Sequence, residues 1–261
     1  MIKLVACDLD GTLLDSKKRI PKEFPKIIEE FKKRGIYFVV ASGRSYAGLK
    51  EMFADYIDDL VFICDNGAFV MYKGERLVLK LLKREEVNEL VMFTRDMEGL
   101  ILLCGMKATY HRSAPTKAAN DEIATYYTNR IIVHDDIDVD DDIFKVAIYD
   151  NLKSEEHSYP ELVKRYGDKY NGQTSGEHWM DVMTGGTNKG TALKDIMEKL
   201  GVGYDEAMAF GDYMNDYELL ENAYYSFAMA NGHDKIKELA RYQAESNDDN
   251  GVVKAIYEYV L

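Results

Sequence analysis

The stretch IKLVACDLDGT at residues 2–12 joins a short apolar run to two aspartates and a glycine. The run at residues 2–7 predicts a buried β-strand. Sites in open parallel sheets form outside the carboxyl ends of the strands, so we expect Asp8 and Asp10 to enter a crevice there. The alternation of an extended chain turns these two carboxylates toward the same side.

Two carboxylates at this spacing repel each other and need a cation or a shared proton. A hard ion with oxygen ligands, such as Mg²⁺, meets that need. An aspartate can also attack phosphorus and form an aspartyl-phosphate. An acidic turn that bends at Gly11 is the alternative interpretation of the same residues.

Further along the chain, apolar strands alternate with helical patterns. The first half continues with two helices and two strands, at residues 25–34, 36–41, 45–56 and 60–64. The second half has the same alternation, with helices and strands at residues 188–200, 207–210, 213–222 and 225–229 and a last helix. This order predicts a parallel sheet flanked by crossover helices.

Between the two halves the pattern is less regular. Residues 69–82 predict a hairpin around Lys73-Gly74, and strand-like runs then mix with two or three helical stretches. We therefore expect an α/β core from residues 1–82 and 185–261, with an inserted α+β domain at residues 83–184. The acidic run at 135–142 lacks the glycine of a calcium loop and predicts a solvated loop.

The composition excludes several classes of protein. The 33 basic and 46 acidic residues give a formal charge of −13, which argues against a nucleic-acid or anionic-membrane surface. No apolar stretch approaches the ~18 residues of a membrane span, and aspartates interrupt the first eleven residues, so we expect no signal peptide and a cytoplasmic location. Cys7, Cys64 and Cys104 lie in apolar runs and are predicted to be structural. The oligomeric state stays open between a monomer and a weak dimer.

Two further motifs carry cationic or anion-binding groups. Ser42-Gly43-Arg44 follows the second strand, where a hydroxyl, bare backbone N–H groups and a helix start can bind an anion. Capping of the next helix explains Ser42 equally well. Lys189 lies at the start of a helix, where a cation opposes the helix dipole, which indicates a functional position. A solvated surface lysine is the alternative.

The stretch GDYMND at residues 211–216 follows another strand. Its oxygen-bearing side chains suit a metal ion, with Asp212 as a direct ligand and Asp216 as a direct or water-mediated one. Capping of the next helix by Asp212 is the competing interpretation.

Four stretches of the chain together resemble the motifs of the haloacid dehalogenase superfamily: DLDGT at residues 8–12, SGR at 42–44, NKG at 188–190 and GDYMND at 211–216. Asn66-Gly67-Ala68 is similar to the NGA of its Cof-type branch. The resemblance implies a Rossmannoid core with an inserted C2-type cap, as in Cof-like sugar phosphatases. The insertion carries little of the resemblance, so the residues that set substrate specificity are not transferable.

The resemblance also implies roles. Asp8 would be the nucleophile, Asp10 the general acid and base, and Lys189 the cation that offsets charge on Asp8 and the phosphoryl group. Mg²⁺ would be held by Asp8, the Asp10 carbonyl, Asp212 and Asp216. Phosphate-binding roles fall to a further set: Gly11, Thr12, Ser42, Gly43, Arg44 and Asn215.

The expected activity is therefore the Mg²⁺-dependent hydrolysis of a small phosphorylated metabolite, with sugar phosphates as the first class to test. A phosphomutase, which returns the phosphoryl group to a sugar, shares the first step. A non-catalytic regulator that binds a phosphorylated ligand should have lost one of Asp8, Asp10, Lys189 or Asp212, and none is missing. Dinucleotide binding and P-loop chemistry are excluded because their glycine motifs are absent.

Overall fold

The computed structural model describes residues 1–114, 116–127, 129–174 and 177–261. The chain forms two compact units, one made of Met1–Leu79 with Thr187–Leu261 and the other of Lys80–Gly186. We call the first the core and the second the inserted unit. The sequence had placed the two junctions at 82/83 and 184/185, and in the structure they lie at 79/80 and 186/187.

The first core segment contains five strands and two helices: β1 (Leu4–Asp8), α1 (Phe24–Arg34), β2 (Tyr37–Ala41), α2 (Tyr46–Met52), β3 (Leu60–Cys64), β4 (Phe69–Tyr72) and β5 (Glu75–Leu79). Helix α1 begins at Phe24 because the fixed φ of Pro25 suits a first turn, and it ends at Gly35, whose φ of 66° forms a left-handed cap. Its buried side chains recur at helical spacing and pack onto the sheet: Phe24, Ile27, Ile28 and Phe31.

The described residues of the inserted unit form six strands and three helices: α3 (Arg84–Asp96), β6 (Leu100–Gly105), β7 (Thr109–His111), α4 (Lys117–Tyr126), β8 (Arg130–Ile132), β9 (Ile143–Tyr149), α5 (Ser158–Tyr166), β10 (Tyr170–Thr174) and β11 (Trp179–Thr184). The strands form one sheet in the order β10-β11-β9-β6-β7-β8. All its pairs are antiparallel except β7 with β8. The predicted α+β class of the insertion is therefore confirmed.

The acidic run of the inserted unit is only partly a solvated loop. Asp136 is buried, and its Oδ2 accepts a 2.7 Å hydrogen bond from Nε of Arg112. The expectation of full solvation was wrong at this residue, because a pairing with a distant arginine leaves no trace in the local sequence.

The second core segment contains α6 (Lys189–Leu200), β12 (Ala207–Gly211), α7 (Tyr217–Glu221), β13 (Tyr225–Met229), α8 (Asp234–Leu239), β14 (Tyr242–Ala244) and α9 (Gly251–Tyr259). The helix expected from residue 213 begins only at Tyr217, since Met214–Asp216 form a 3₁₀ turn. Helix α8 and strand β14 are short elements that the sequence pattern did not reveal.

The core sheet has eight strands in the order β14-β13-β12-β1-β2-β3-β4-β5. It is parallel from β14 to β3, and the predicted hairpin β4-β5 extends it with antiparallel strands. The predicted fold class is confirmed, with this mixed edge as the difference. Because the central strands are parallel, the carboxyl ends of β1, β2, β3, β12 and β13 lie at one edge of the sheet. None of the helices in the described part of the chain is long and apolar enough to cross a membrane.

Candidate active site

Four of the central strands deliver polar residues to the same edge of the core sheet. Asp8 is the last residue of β1, Ser42 follows β2, Asp65 follows β3, and Asp212 follows β12. The register pairs Asp8 with Ala41, so the ends of β1 and β2 are level. Side chains that are far apart in sequence can therefore meet at this edge.

Lys189 is a fully buried charged group at this edge. Its side chain is 0% exposed, and its Nζ lies 2.6 Å from Oδ1 of Asp8 and 2.7 Å from Oδ1 of Asp216. It is the first residue of α6, with Asn188 as the helix cap. The cost of a cation at a helix N-terminus is offset here by two carboxylates. The interpretation as a solvated surface lysine is therefore wrong.

Asp216 uses both of its carboxylate oxygens within the protein. Oδ1 accepts from Lys189, and Oδ2 accepts from the backbone N–H groups of Asp212 and Tyr213 at 3.0 and 3.2 Å. Its side chain is 0% exposed. Asp216 therefore fixes both the lysine and the turn that carries Asp212.

Asp212 is held by the residues that follow β1. The Thr12 hydroxyl donates to Oδ1 of Asp212 at 3.0 Å. Gly11 has a φ of 92°, and a Cβ atom there would lie 2.3 Å from Oδ2 of Asp212, so only glycine lets the two segments approach this closely. The Asp212 side chain thus points to the end of β1 and not to the N-terminus of α7, which excludes the capping interpretation.

The charges of this cluster are not balanced. Asp8, Asp212 and Asp216 each offer a carboxylate oxygen, and these atoms lie within 4.8 Å of one another. Burial and then the charge of Asp216 raise the pKa of Asp8 to about 8, although Lys189 opposes this rise. Burial and Asp216 also raise the pKa of Asp212. Burial would lower the pKa of Lys189, but Asp216 and Asp8 outweigh it and raise that pKa.

When all three carboxylates are ionised, one lysine leaves an excess of two negative charges in this buried site. A divalent cation with oxygen ligands matches both this excess and the donor set. The residues present therefore fit a hard divalent metal, and the raised pKa values are what such a site shows without its metal.

Asp10 lies at the more open side of the site. Arg44 binds it side-on, with Nε 2.9 Å from Oδ2 and Nη2 2.8 Å from Oδ1, and Nζ of Lys18 lies 2.7 Å from Oδ1. Burial alone would raise the pKa of Asp10, but the hydrogen bonds from Arg44 and Lys18 outweigh it and lower the pKa. The Arg44 side chain, predicted to bind phosphate, contacts Asp10, the predicted general acid and base, in this structure.

The remaining predicted residues form a second group. Ser42 is buried, and its Oγ accepts from the N–H of Arg44 at 3.1 Å. Asn215 donates to Oδ1 of Asn66 at 3.3 Å, and the same Asn66 amide lies against Gly43. The structure therefore brings the SGR and GDYMND motifs together through Asn66.

Three residues of the site were not among those predicted. Asn66 belongs to a noted motif, and its position after β3 was the signal that could have found it. Asn231, two residues beyond β13, donates to the Gly11 carbonyl at 2.8 Å and carries the same strand-end signal. Lys18 lies in a loop with a φ of 60°, and no sequence pattern distinguishes it from other exposed lysines.

Comparisons with known proteins identify the family of this chain. The family model for haloacid dehalogenase-like hydrolases matches residues 5–256. The 5-amino-6-(5-phospho-D-ribitylamino)uracil phosphatase YbjI of Escherichia coli K12 is 31% identical over 98% of this chain and 95% of its own. The phosphatase YcsE of Bacillus subtilis, which has the same activity in its name, is 28% identical over 100% and 96%. The crystal structure of SMU.1108c from Streptococcus mutans UA159 covers 100% of this chain and 99% of its own, with 31% identity and a TM-score of 0.87.

The chain therefore belongs to the haloacid dehalogenase-like hydrolases. The enzyme class that the motifs predict, a phosphoric monoester hydrolase of this type, is confirmed.

The raised pKa of Asp8 predicts how metal-free stability depends on pH. Between about pH 4 and 8 the folded protein keeps a proton on Asp8 that the unfolded chain has lost, so this group makes stability fall as pH rises. Asp8→Asn removes the effect. We expect the free energy of unfolding of the variant, relative to wild type, to increase with pH by up to about 1.4 kcal/mol per unit in this window.

Urea denaturation in EDTA at a series of pH values measures this difference. The exposed Asp55→Asn serves as the matched control and should run parallel to wild type. A variant whose stability also runs parallel to wild type from pH 5 to 8 would show that Asp8 is not protonated in the metal-free fold.

Proposed function

We propose that this protein is a Mg²⁺-dependent phosphatase of small phosphorylated metabolites, and that Asp8 is its covalent nucleophile. The observation that carries the proposal is the buried contact of Lys189 with Asp8 and Asp216, beside Asp212. A structural ion pair needs one carboxylate for one lysine, and the additional negative charge calls for a bound cation.

Asp8 and Asp212 would hold the metal, together with the backbone carbonyl of Asp10. Asp216 was predicted as a further ligand, but both of its oxygens already accept hydrogen bonds, and we assign it the positioning of Lys189 and Asp212. When bound, Mg²⁺ supplies positive charge that screens the nucleophile from the phosphate dianion and stabilises the transition state.

In the first step an Oδ atom of Asp8 forms a bond to phosphorus while the bond from phosphorus to the ester oxygen breaks. The Lys189 ammonium stays at 2.6 Å from Asp8 and offsets charge that builds up on the phosphoryl group. Asp10 gives its proton to the departing alkoxide. In the second step Asp10, now a carboxylate, takes a proton from the water that attacks the aspartyl-phosphate.

The contacts of Asp10 add a requirement to these two reaction steps. Arg44 and Lys18 keep Asp10 ionised in the free protein, which suits the base of the second step. To act as an acid, Asp10 must first be released from at least one of these cations and take up a proton from solvent water. A phosphate dianion is the natural competitor for Arg44, so substrate binding and release of Asp10 would be coupled.

The proposed substrates are sugar or polyol phosphates. Two relatives that span nearly the whole chain are named for hydrolysis of 5-amino-6-(5-phospho-D-ribitylamino)uracil, whose phosphate is attached to a ribityl chain. The proposed phosphoryl chemistry lies on core residues alone, so we assign the choice of substrate to the inserted unit, Lys80–Gly186. A phosphate-release screen should include this compound, hexose phosphates, flavin mononucleotide and pyridoxal phosphate.

Removal of the nucleophile or the metal tests the proposal directly. Asp8→Asn, Asp212→Ala and EDTA should each reduce phosphate release by at least ~10³-fold, because each removes a group that acts in the chemical step. Circular dichroism should show a retained fold, since these side chains form no packed core. Asp55→Asn, an exposed aspartate of the same unit, should keep wild-type activity. Full activity in EDTA would disprove the metal-dependent mechanism.

The role of Asp10 is separable from that of Asp8 by the choice of leaving group. An alkoxide needs a proton to depart, whereas p-nitrophenolate leaves readily without one. Asp10→Asn should therefore slow phosphorylation of Asp8 by about 10²–10⁴-fold with a sugar phosphate and far less with p-nitrophenyl phosphate. The second step still lacks its base, so the variant should release a burst of p-nitrophenol and then turn over slowly.

Mass spectrometry of the quenched variant should find one added phosphoryl group on Asp8. Equal losses with both substrates, without a burst or an adduct, would remove Asp10 from its acid and base role and leave it as a metal-site residue.

A further inference from the structure

The turn after β3 has an unusual backbone. Asp65, Asn66 and Gly67 have φ values of 45°, 52° and 102°, three left-handed residues in a row. Two of them are not glycine, and such residues persist only where the surroundings impose the conformation. The contacts of this turn therefore indicate what imposes it.

The backbone of the turn is tied to the SGR motif. The N–H of Asp65 donates to the Arg44 carbonyl at 3.1 Å, and the N–H of Asn66 donates to the Ser42 carbonyl at 3.0 Å. The N–H of Ser42 in turn donates to the carbonyl of Ile63 in β3 at 2.9 Å. These bonds place the turn and the proposed anion-binding loop in a fixed relation.

The Asn66 side chain extends this relation to the GDYMND motif. Its Oδ1 accepts from Nδ2 of Asn215 at 3.3 Å. Its Nδ2 lies against Gly43, where an added Cβ would approach to 3.0 Å. An amide offers both an acceptor and a donor, so Asn66 can hold Asn215 while its Nδ2 faces the loop.

Gly67 brings the turn against the third motif. A Cβ atom on Gly67 would lie 2.2 Å from the carbonyl oxygen of Asn188 and 3.2 Å from the backbone nitrogen of Lys189. The turn thus contacts the start of α6, from which the Lys189 side chain reaches Asp8. Three motifs of the site meet around residues 65–67.

We infer that Asn66 is a positioning residue for phosphate binding. It holds Asn215 and the Ser42-Gly43 loop in the arrangement that receives the phosphoryl oxygens. The inference rests on the proposed function, because it assigns phosphate binding to this side of the site. It assigns Asn66 no part in metal binding, since its described contacts include neither Asp8 nor Asp212.

Asn66→Gly tests the side chain without straining the backbone, because glycine adopts a φ of 52° freely. Asn250→Gly is the matched control, since Asn250 has a φ of 58°, is exposed, and its side chain accepts no hydrogen bond from the helix that it precedes. We expect Asn66→Gly to weaken orthophosphate binding, measured by calorimetry at saturating Mg²⁺, by about tenfold. KM should rise by a similar factor with the substrate found in the screen, and the Mg²⁺ concentration for half-maximal activity should stay unchanged. Asn66→Asp should bind phosphate at least as weakly, because it adds a negative charge.

Phosphate binding and KM within twofold of wild type in Asn66→Gly would overturn the inference. So would a loss confined to thermal stability and kcat, since that is the signature of a purely structural residue. Orthophosphate binding requires no turnover, so a wild-type protein that binds phosphate but hydrolyses nothing would refute the proposed function and still allow the comparison at Asn66.

Discussion

The ammonium group of Lys189 lies between the carboxylates of Asp8 and Asp216, shielded from water, and the remaining parts of the site are arranged around it. A buried lysine is costly unless it is paired and its hydrogen bonds are satisfied. Asp216 supplies one of the two carboxylates that pair with this lysine. Asp8 supplies the other carboxylate, and this contact fixes the position of the proposed nucleophile.

The parallel sheet makes such a cluster possible. Each central strand ends at the same edge, so a few residues just beyond β1, β2, β3, β12 and β13 face one another without long side chains. Because these strand ends approach one another closely, they restrict which residue types fit between them. This restriction explains glycine at position 11, against Asp212, and at position 67, against Asn188. Some motif residues are therefore explained by packing between strand ends, and others by their reactive groups.

The sequence predicted what is encoded locally. β3 and β13 have the expected bounds, the core and its inserted unit are present, and Asp8, Asp212 and Lys189 share one cluster. Pairings over long distances in the chain could not be predicted. Arg44 was assigned to phosphate but contacts Asp10, and Asp216 was assigned to the metal but uses both oxygens on protein donors.

The same limit explains the elements and contacts that the sequence did not reveal. Short elements such as α8 and β14 carry too few residues for a periodic pattern. Asn66 combines a left-handed backbone with contacts to two motifs, and the sequence shows only an Asn-Gly pair at a strand end. In each case the decisive partner lies elsewhere in the chain.

The central claim is that a buried excess of negative charge on Asp8, Asp212 and Asp216 binds one divalent cation. Calorimetric titration of the metal-free protein with Mg²⁺ at pH 7, in two buffers of different ionisation enthalpy, tests it most directly. We predict one site per chain and release of protons on binding, because the metal displaces the proton that the raised pKa keeps on Asp8. Asp212→Ala should abolish binding, and Asp8→Asn should weaken it and remove the proton release. Tight binding that Asp212→Ala leaves intact, or binding with no proton release at all, would contradict the account.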